Sequence, residues 1–340
     1  MTFDQAVALS LLVDLPRIGL TERLHADDPE LLERAATVLD EARELREQSA
    51  RRGIHVLPWF DTRFPALLGA ITDCPPAIWY RGQLDALDAQ AIAIVGSRAA
   101  TAVALEAAGR IGADLASRGI TIVSGLARGV DSAAHRGALE TGRTVAVLGS
   151  GLDHMYPPEH APLATQIAEH GLVITEYAPA VPPYPSNFPM RNRLISGLSR
   201  AVVVIEASEK SGSLITASCA LEQGREVMAV PGNVLTGRNR GGHALIRDGA
   251  KIVECADDIV EDLGLGPRRD RAGETGASAS MTDRSADPVL RRMAAGQPYD
   301  LDVLASESGL DMPKLLPRLI ELELAGLIRR AEGGRFVRPS

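Results

Sequence analysis

Short apolar runs alternate with longer amphipathic stretches over the middle of the chain, between residues 91 and 230. The short runs are continuously apolar, which is typical of strands in a parallel sheet covered on both faces. The pattern therefore predicts a doubly wound α/β domain with a Rossmann-like parallel sheet core. The predicted strands cover 91–95, 120–123, 144–148, 172–175, 201–206 and 226–230, and the predicted helices lie near 103–118, 131–141, 160–170, 190–199 and 213–224.

The pattern changes on both sides of this core, and it predicts four segments in all. Residues 1–52 have helically spaced apolar positions and predict a small N-terminal helical domain of the SAM or helix-hairpin-helix kind. Residues 53–262 form the Rossmann-like core, whose first part, 53–90, is extended and interrupted by prolines. Residues 263–287 are rich in small and polar residues, which predicts a flexible linker. Residues 288–340 regain helical periodicity and end in a glycine hairpin, as in a winged helix.

The sequence leaves open which partners the N-terminal helical domain and the winged helix bind. The turn at residues 15–20 loosely resembles that of a helix-hairpin-helix, whose amides bind DNA phosphates, but it has one glycine where that motif usually has two. A plain turn between helices is the alternative. In the predicted winged helix, Lys314 and Arg318 lie on the equivalent of a recognition helix. The neutral charge balance of this domain fits contact with a protein as well as with DNA.

Aromatic residues are concentrated in the extended segment 53–90, which contains Trp59 and Trp79. We interpret this segment as one that docks against the core that follows it. Base stacking by Trp59 or Trp79 is the alternative, because both rings have a large flat face.

Composition narrows the cellular setting. The three cysteines lie far apart, without the spacing of a disulfide framework or a zinc site, which indicates a reducing cytoplasm. The start of the chain has no basic region followed by a long apolar run, so we expect neither a signal peptide nor a membrane span. The net charge of −8 argues against nucleic acid as a partner, but residues 91–253 carry more basic than acidic side chains.

Glycine-rich turns follow several predicted strands, at the edge where doubly wound folds bind their ligands. Glycines let the backbone approach a ligand closely, and the helix start that follows presents free N–H groups and a positive dipole end to an anion. The clearest turn reads Ser124-Gly125-Leu126-Ala127-Arg128-Gly129-Val130-Asp131, and another contains Ser97 and Arg98. A third, from Ser208 to Thr216, contains Lys210, Ser211, Gly212 and Ser213, so that hydroxyls and a lysine replace the arginine.

A second group of candidates is the segment Phe188-Pro189-Met190-Arg191-Asn192-Arg193. Phe188 is suited to stack on a base, a contact that contributes about 1–3 kcal/mol per base in any sequence, and the arginines are suited to hold the adjacent phosphates. In the alternative interpretation, Phe188 packs in the core and the arginines pair with carboxylates such as Glu176 or Glu206.

The chain has none of the common catalytic motifs. The P-loop, the glycine spacing of a dinucleotide fold, the nucleophile elbow and the His-Glu-x-x-His zinc motif are all missing from the sequence. Asp131 we interpret as a helix N-cap rather than an acid or base. We therefore expect a protein that is not an enzyme and holds no metal or cofactor. Several anion-binding turns on one sheet edge favour a charged polymer, whose affinity falls with salt.

At these residues the chain resembles the DNA-processing protein A family (DprA, also called Smf). The resemblance is carried by Ile94-Val95-Gly96-Ser97-Arg98, the turn from Ser124 to Asp131 with Ala134-His135, Gly151-Leu152-Asp153 with Tyr156-Pro157, the segment from Phe188 to Arg193, Ser211-Gly212-Ser213 with Thr216-Ala217, and Val230-Pro231-Gly232.

The resemblance implies a core that binds single-stranded DNA without sequence preference and forms a homodimer. It also implies that the protein protects incoming single strands and loads them with the RecA recombinase in natural transformation. Family DNA contacts map onto Ser97, Arg98, Phe188, Arg191 and Arg128. Together with their neighbours in the turns, the predicted DNA-binding residues are Ser97, Arg98, Ser124, Gly125, Arg128, Gly129, Phe188, Arg191, Asn192, Arg193, Ser211, Gly212 and Ser213.

Two departures from the family pattern and one rival function accompany this prediction. The segment 181–187 has no lysine, and His243 stands where an asparagine is expected. The rival is a nucleotide-binding or nucleotide-hydrolysing enzyme of the related lysine-decarboxylase-like fold. Such enzymes carry a Pro-Gly-Gly-x-Gly-Thr loop with a catalytic glutamate, whereas the comparable turn here, 231–235, has neither. A RecA adaptor that binds DNA only weakly is a third possibility.

Overall fold

The computed structural model describes residues 1–12, 15, 17–265, 289–290, 292–293, 297–308, 310, 312–324, 327–330 and 335–338. The chain divides into two compact units, Met1–Pro267 and Arg268–Ser340. A nine-stranded sheet lies at the centre of the first unit. Its strands are β1 (His55–Pro58), β2 (Ala77–Gly82), β3 (Ala91–Gly96), β4 (Thr121–Ser124), β5 (Thr144–Val147), β6 (Leu172–Thr175), β7 (Ala201–Ile205), β8 (Glu226–Ala229) and β9 (Lys251–Ile252).

Twelve α-helices are described in the first unit. None of the helices in the described part of the chain is both long and apolar enough to span a membrane. The twelve helices of the first unit are α1 (Phe3–Leu11), α2 (Leu20–His25), α3 (Pro29–Thr37), α4 (Leu39–Ala50), α5 (Ala66–Gly69), α6 (Ala102–Ser117), α7 (Val130–Thr141), α8 (Ala161–His170), α9 (Asn187–Gly197), α10 (Ser213–Glu222), α11 (Arg240–Arg247) and α12 (Ala256–Asp262).

The sheet has the strand order β1-β2-β6-β5-β4-β3-β7-β8-β9. All pairs from β6 to β9 in this order are parallel. The predicted doubly wound core is confirmed, because the six predicted strands coincide with β3 to β8 to within one residue at each end and the five predicted helices overlap α6 to α10. The continuous apolar runs reflect burial on both faces: Ala93 and Val95 of β3 contact one layer of helices, and Ile92 and Ile94 the other.

The segment 53–90 is part of the sheet, which corrects its interpretation as a docking segment. It supplies β1 and β2, which extend the sheet beyond β6 with antiparallel pairing. Pro58 is accommodated because β1 is an edge strand. Trp79 of β2 is fully buried, and its indole Nε1 donates to Ser10 Oγ at 3.2 Å. The Trp79 ring therefore packs in the core, as expected, and does not present a face to a base.

The N-terminal helices share a core with the sheet. Leu9, Leu24 and Leu31 pack in one cluster with Trp79 and with residues of β5, β6 and α8. The predicted boundary at residue 52 therefore does not separate two compact units, because the apolar faces of α1 to α3 are buried against the sheet.

The second unit has two helices, α13 (Leu301–Ser308) and α14 (Met312–Leu324), and a small sheet with the strand order β10 (Pro298–Tyr299), β12 (Phe336–Val337), β11 (Arg329–Arg330). Lys314 and Arg318 lie on α14, as expected for the predicted recognition helix. Of the predicted linker, residues 266–287 lie outside the described residues, as do the glycine turn at 326 and the hairpin at 333–334.

Helices α6 and α7 cross where glycines replace side chains. A Cβ built on Gly137 of α7 would lie 2.0 Å from the carbonyl oxygen of Gly109 of α6, whereas a Cβ on Gly109 has no neighbour nearer than 3.8 Å. The two helices can approach this closely only if residue 137 has no side chain, and the approach positions the loop that precedes α7.

We expect Gly137→Ala to destabilise the protein by about 1–3 kcal/mol, since the added methyl group overpacks the crossing. The matched control is Gly109→Ala in the facing helix, which should be neutral or stabilising by up to about 1 kcal/mol because alanine restricts the unfolded chain. Urea unfolding measures both. Equal stability of the two variants would contradict the close crossing.

Candidate functional site

A cavity of about 410 Å³ lies beyond the carboxyl ends of β3, β4 and β7. Here β4 lies on one side of β3 and β7 on the other, so the strand order reverses, which is where doubly wound sheets bind ligands. We call it the strand-end cavity. Eight of the predicted binding residues line it, namely Ser97, Arg98, Phe188, Arg191, Asn192, Ser211, Gly212 and Ser213.

An aromatic and cationic cluster lies at the mouth of this cavity. The guanidinium carbon of Arg98 lies 5.7 Å from the centroid of the Phe188 ring, within cation–π range. The Tyr156 ring lies 5.3 Å from Phe188 at an interplanar angle of 52°. Phe188 is half-buried and Arg98 is exposed. Tyr156 was not among the predicted binding residues, although it belongs to the family pattern Gly151-Leu152-Asp153 with Tyr156-Pro157.

The loop after β3 is held by Glu206. Its carboxylate accepts from the Thr101 amide at 3.0 Å and from Thr101 Oγ1 at 2.6 Å, and its backbone carbonyl accepts from the Ser97 amide at 2.8 Å. Glu206 therefore orders the loop instead of pairing with an arginine, which leaves Arg98 free to face solvent.

The loop after β4 is held by two buried side chains of opposite charge, Asp131 and Arg191, which bind the surrounding backbone separately and form no direct ion pair. Asp131 accepts from the amides of Gly125 at 3.1 Å and Ala127 at 3.4 Å. Arg191 is 3% exposed, and its Nη1 donates to the carbonyls of Gly125, at 2.9 Å, and Val147. Burial lowers the pKa of Arg191 to about 10. Burial also raises the pKa of Asp131, while the nearby Arg191 opposes that rise.

The interpretation of Asp131 as a helix N-cap is corrected here. Asp131 is not the N-cap of α7, since that position is occupied by Gly129 with a φ of +79°, and Asp131 binds loop amides instead. Gly129 is required there because a Cβ would lie 2.2 Å from the carbonyl oxygen of Ser97. Arg191 borders the cavity but donates mainly inward. Its Nε is buried without an acceptor among the described residues.

Arg193 does not join the other candidates. It is 6% exposed, and it forms ion pairs with Glu176 at 2.5 Å and Asp73 at 2.8 Å. Two residues along a helix turn the side chain by about 200°, so Arg191 and Arg193 point to opposite sides of α9. The alternative interpretation, pairing with Glu176, is the correct one for Arg193.

The remaining predicted residues have smaller roles at the cavity. Ser124 is fully buried, and its Oγ donates to the Ile94 carbonyl at 2.6 Å, so it is not available to a ligand. Gly125 and Arg128 line a small adjoining pocket next to Phe188. Arg128 pairs with Glu159 at 2.5 Å, but both side chains are about half exposed, and such surface pairs exchange readily.

Lys210, the lysine of the third predicted anion-binding turn, also lies at the strand-end cavity. It is exposed, lines the cavity and has no ion pair with any described residue. It precedes Ser211, Gly212 and Ser213, where the Oγ atoms of the two serines lie 2.7 Å apart and the Gly212 carbonyl accepts from the Asn192 side chain at 3.2 Å.

Of the two departures from the family pattern, the segment 181–187 directly precedes Phe188, whereas His243 lies at the turn after β8. His243 Nε2 lies 3.1 Å from the carbonyl oxygen and 3.3 Å from the amide nitrogen of Gly232, so it supports the turn after β8. In the part of the chain that is described, no group of His, Cys, Asp or Glu residues is arranged to hold a metal ion.

Comparison with known proteins gives a consistent result. A family model described as DNA recombination-mediator protein A matches residues 55–264, and one described as DprA winged helix domain matches 273–334, which confirms the predicted winged helix. Protein Smf of Escherichia coli (strain K12) is 43% identical over 286 residues, which are 82% of this chain and 76% of Smf.

Two solved structures are similar to this chain. The X-ray structure of DNA processing protein A (DprA) from Streptococcus pneumoniae is 33% identical, with a TM-score of 0.66, and the match covers 77% of this chain and 98% of that one. DprA from Helicobacter pylori, whose structure is described for its single-stranded DNA binding mode, is 28% identical with a TM-score of 0.57 over 62% of this chain and 96% of that one.

We expect Arg191→Met to destabilise the protein by about 3–5 kcal/mol, because it leaves Asp131 buried without its compensating charge. Asp131→Asn should also destabilise, and the double variant should lose less than the sum of the two. Urea unfolding of all four proteins completes the cycle. Arg128→Met with Glu159→Gln is the exposed control pair and should show no measurable coupling. Additive losses at 131 and 191 would contradict the coupling of the two buried charges.

Proposed function

Since this chain belongs to the DNA recombination-mediator protein A family, we propose that it binds single-stranded DNA in the strand-end cavity and acts as a mediator rather than as an enzyme. The observation that carries the proposal is the cluster of Arg98, Phe188 and Lys210, an aromatic ring flanked by cations without ion pairs in the described residues.

The cluster suits a single strand of any sequence. An unpaired base can stack on Phe188 or Tyr156, and every base has a face for such stacking. The backbone phosphates then lie near Arg98 and Lys210, with Arg128 at the adjoining pocket. A duplex keeps its bases stacked on one another, so it cannot use the ring. The single-stranded DNA binding described for the Helicobacter pylori relative supports the same use of this core.

Binding of the strand would be followed by its protection and its transfer to a recombinase. We propose that a homodimer formed through the Rossmann-like core protects incoming single strands in the cytoplasm and loads RecA on them in natural transformation. The description of the family as a recombination mediator supports this step. If loading requires the bound strand, Arg98→Ala should reduce RecA filament formation in proportion to lost DNA affinity. Full loading by a variant that no longer binds DNA would favour the adaptor alternative instead.

A nucleotide-hydrolysing enzyme is the rival, since the cavity has the size and position of a nucleotide site. The acidic residue that lines it is Asp131, whose carboxylate is buried and accepts from two amides. A general base must reach the proton that it abstracts, and this carboxylate is committed to the loop. The lining therefore favours binding over turnover.

We expect Arg98→Ala to weaken binding of all single strands and to reduce the slope of log K against log salt by about 1, as one phosphate contact is lost. Phe188→Leu should cost about 1–3 kcal/mol of binding free energy with the slope unchanged, because it removes stacking and no charge. Fluorescence anisotropy of a labelled strand over a salt series measures both.

Arg200→Ala is the control, because this exposed arginine precedes β7 and lies at the opposite edge of the sheet. It should leave both affinity and slope unchanged. Unchanged binding in the Arg98 and Phe188 variants, or tighter binding of a mononucleotide than of the strand, would overturn the proposed function.

A further inference from the structure

A second cavity, of about 710 Å³, lies between the N-terminal helices and the start of α9. We call it the bundle cavity. One wall is apolar and comes from α1 and its surroundings, including Leu12 and Leu45, and the other comes from the segment after β6. Tyr184 and Met190 stand at its rim, 54% and 40% exposed.

Three residues that line the bundle cavity have a buried side-chain donor without a hydrogen-bond partner among the described residues. The donors are Nη1 of Arg193, a residue that is 6% exposed, Nδ2 of Asn187 and the hydroxyl of Tyr177. A buried donor without a partner costs free energy, and a water, an ion or a ligand commonly satisfies it. These donors call for a ligand with acceptor atoms.

The cations around the bundle cavity are neutralised by carboxylates, and Glu41, which also lines it, adds a negative charge. Arg17 and Arg193 both pair with Glu176, and Arg193 also pairs with Asp73. Burial raises the pKa of Tyr177 to about 12, so its hydroxyl is neutral at physiological pH. With its cations neutralised, the cavity offers little attraction to a phosphate. A flat, neutral group with acceptor atoms, such as a pyrimidine base with its carbonyl oxygens, fits the lining better.

The two cavities share helix α9. Phe188, Arg191 and Asn192 line the strand-end cavity, whereas Asn187, Met190 and Arg193 line the bundle cavity. Neighbouring residues at the start of α9 therefore line both the strand-end cavity and the bundle cavity. A DNA strand that passes over the start of this helix can place one base in each cavity.

We propose that the bundle cavity is a second nucleobase subsite, which takes a pyrimidine base of the strand whose neighbouring nucleotides occupy the strand-end cavity. The base contacts Tyr184 and Met190 at the rim, and its carbonyl oxygens accept from Arg193 Nη1 and Asn187 Nδ2. This inference rests on the proposed function, since it requires that the strand-end cavity binds the same strand.

Photo-crosslinking of the full chain tests the placement directly. Oligo(dT) carrying one 5-iododeoxyuridine at successive positions is irradiated, and the adducts are mapped by mass spectrometry. We expect one set of positions to give adducts at Phe188 or Tyr156 and a neighbouring set to give adducts at Tyr184 or Tyr177. Adducts confined to Phe188 and Tyr156 at every position would overturn the inference while leaving the proposed function intact.

A variant pair separates the two cavities in solution. Tyr184→Ala should weaken a long oligo(dT) about five- to tenfold, as expected for one lost stacking contact, and leave a thymidine dinucleotide unaffected. The control is Phe60→Ala, an aromatic residue of similar exposure (41%) that borders neither cavity. Equal affinity of the Tyr184 variant and the wild type for the long strand would contradict the subsite. No binding of any strand by the wild type would overturn both proposals.

Free thymidine distinguishes a strand subsite from a nucleoside site. Excess thymidine should leave the Tyr184 adduct in place, because the tethered base is present at a high effective concentration. Loss of that adduct with unchanged strand affinity would show that the cavity binds free nucleosides and would overturn the inference.

Discussion

The burial of two opposite charges, Asp131 and Arg191, at one loop is the constraint on which the candidate site depends. A charged group in the interior is costly to desolvate, and the cost is offset only when an opposite charge and hydrogen bonds accompany it. Asp131 and Arg191 form no direct ion pair, but each charge favours the ionised form of the other, and each makes hydrogen bonds to the backbone. Asp131 binds two amides of the loop after β4, and Arg191 binds carbonyls of Gly125 and Val147. The two residues thus connect α7 and α9 to the ends of β4 and β5.

One side of the strand-end cavity is therefore fixed in place, and exposed cations lie in front of it. Because Arg191 is held inside, it fixes the start of α9 and with it Phe188, three residues earlier and on the same face of the helix. Arg98 and Lys210 are exposed in front of this side of the cavity, and Arg98 lies over the Phe188 ring. A site with a fixed ring and exposed cations can accept a flexible polymer in several registers, which suits a binder without sequence preference.

The sequence predicted the core of the fold because continuous apolar runs are compatible with few structures other than a covered parallel sheet. It also predicted which turns meet, since the carboxyl ends of parallel strands lie at one edge. Three features escaped it for physical reasons. The strands β1 and β2 are short, interrupted by prolines and antiparallel. Arg191 and Arg193 are chemically alike, and only the packing of α9 decides which one borders the strand-end cavity. Asp131 holds a loop, a role that requires the fold of that loop to be known.

Because the chain has a net charge of −8 and few free cations at the strand-end cavity, the proposed binding of a single strand must rely on more than charge. Of the four predicted arginines, Arg191 and Arg193 are engaged in internal contacts, and Arg128 must exchange its surface pair with Glu159 to reach a phosphate, so few phosphates are neutralised at each site. Counterion release scales with that number and is therefore modest. Stacking on Phe188 must then supply much of the affinity. Because stacking is largely insensitive to salt and each contact is weak, a strand held in this way can be released stepwise, as a mediator requires.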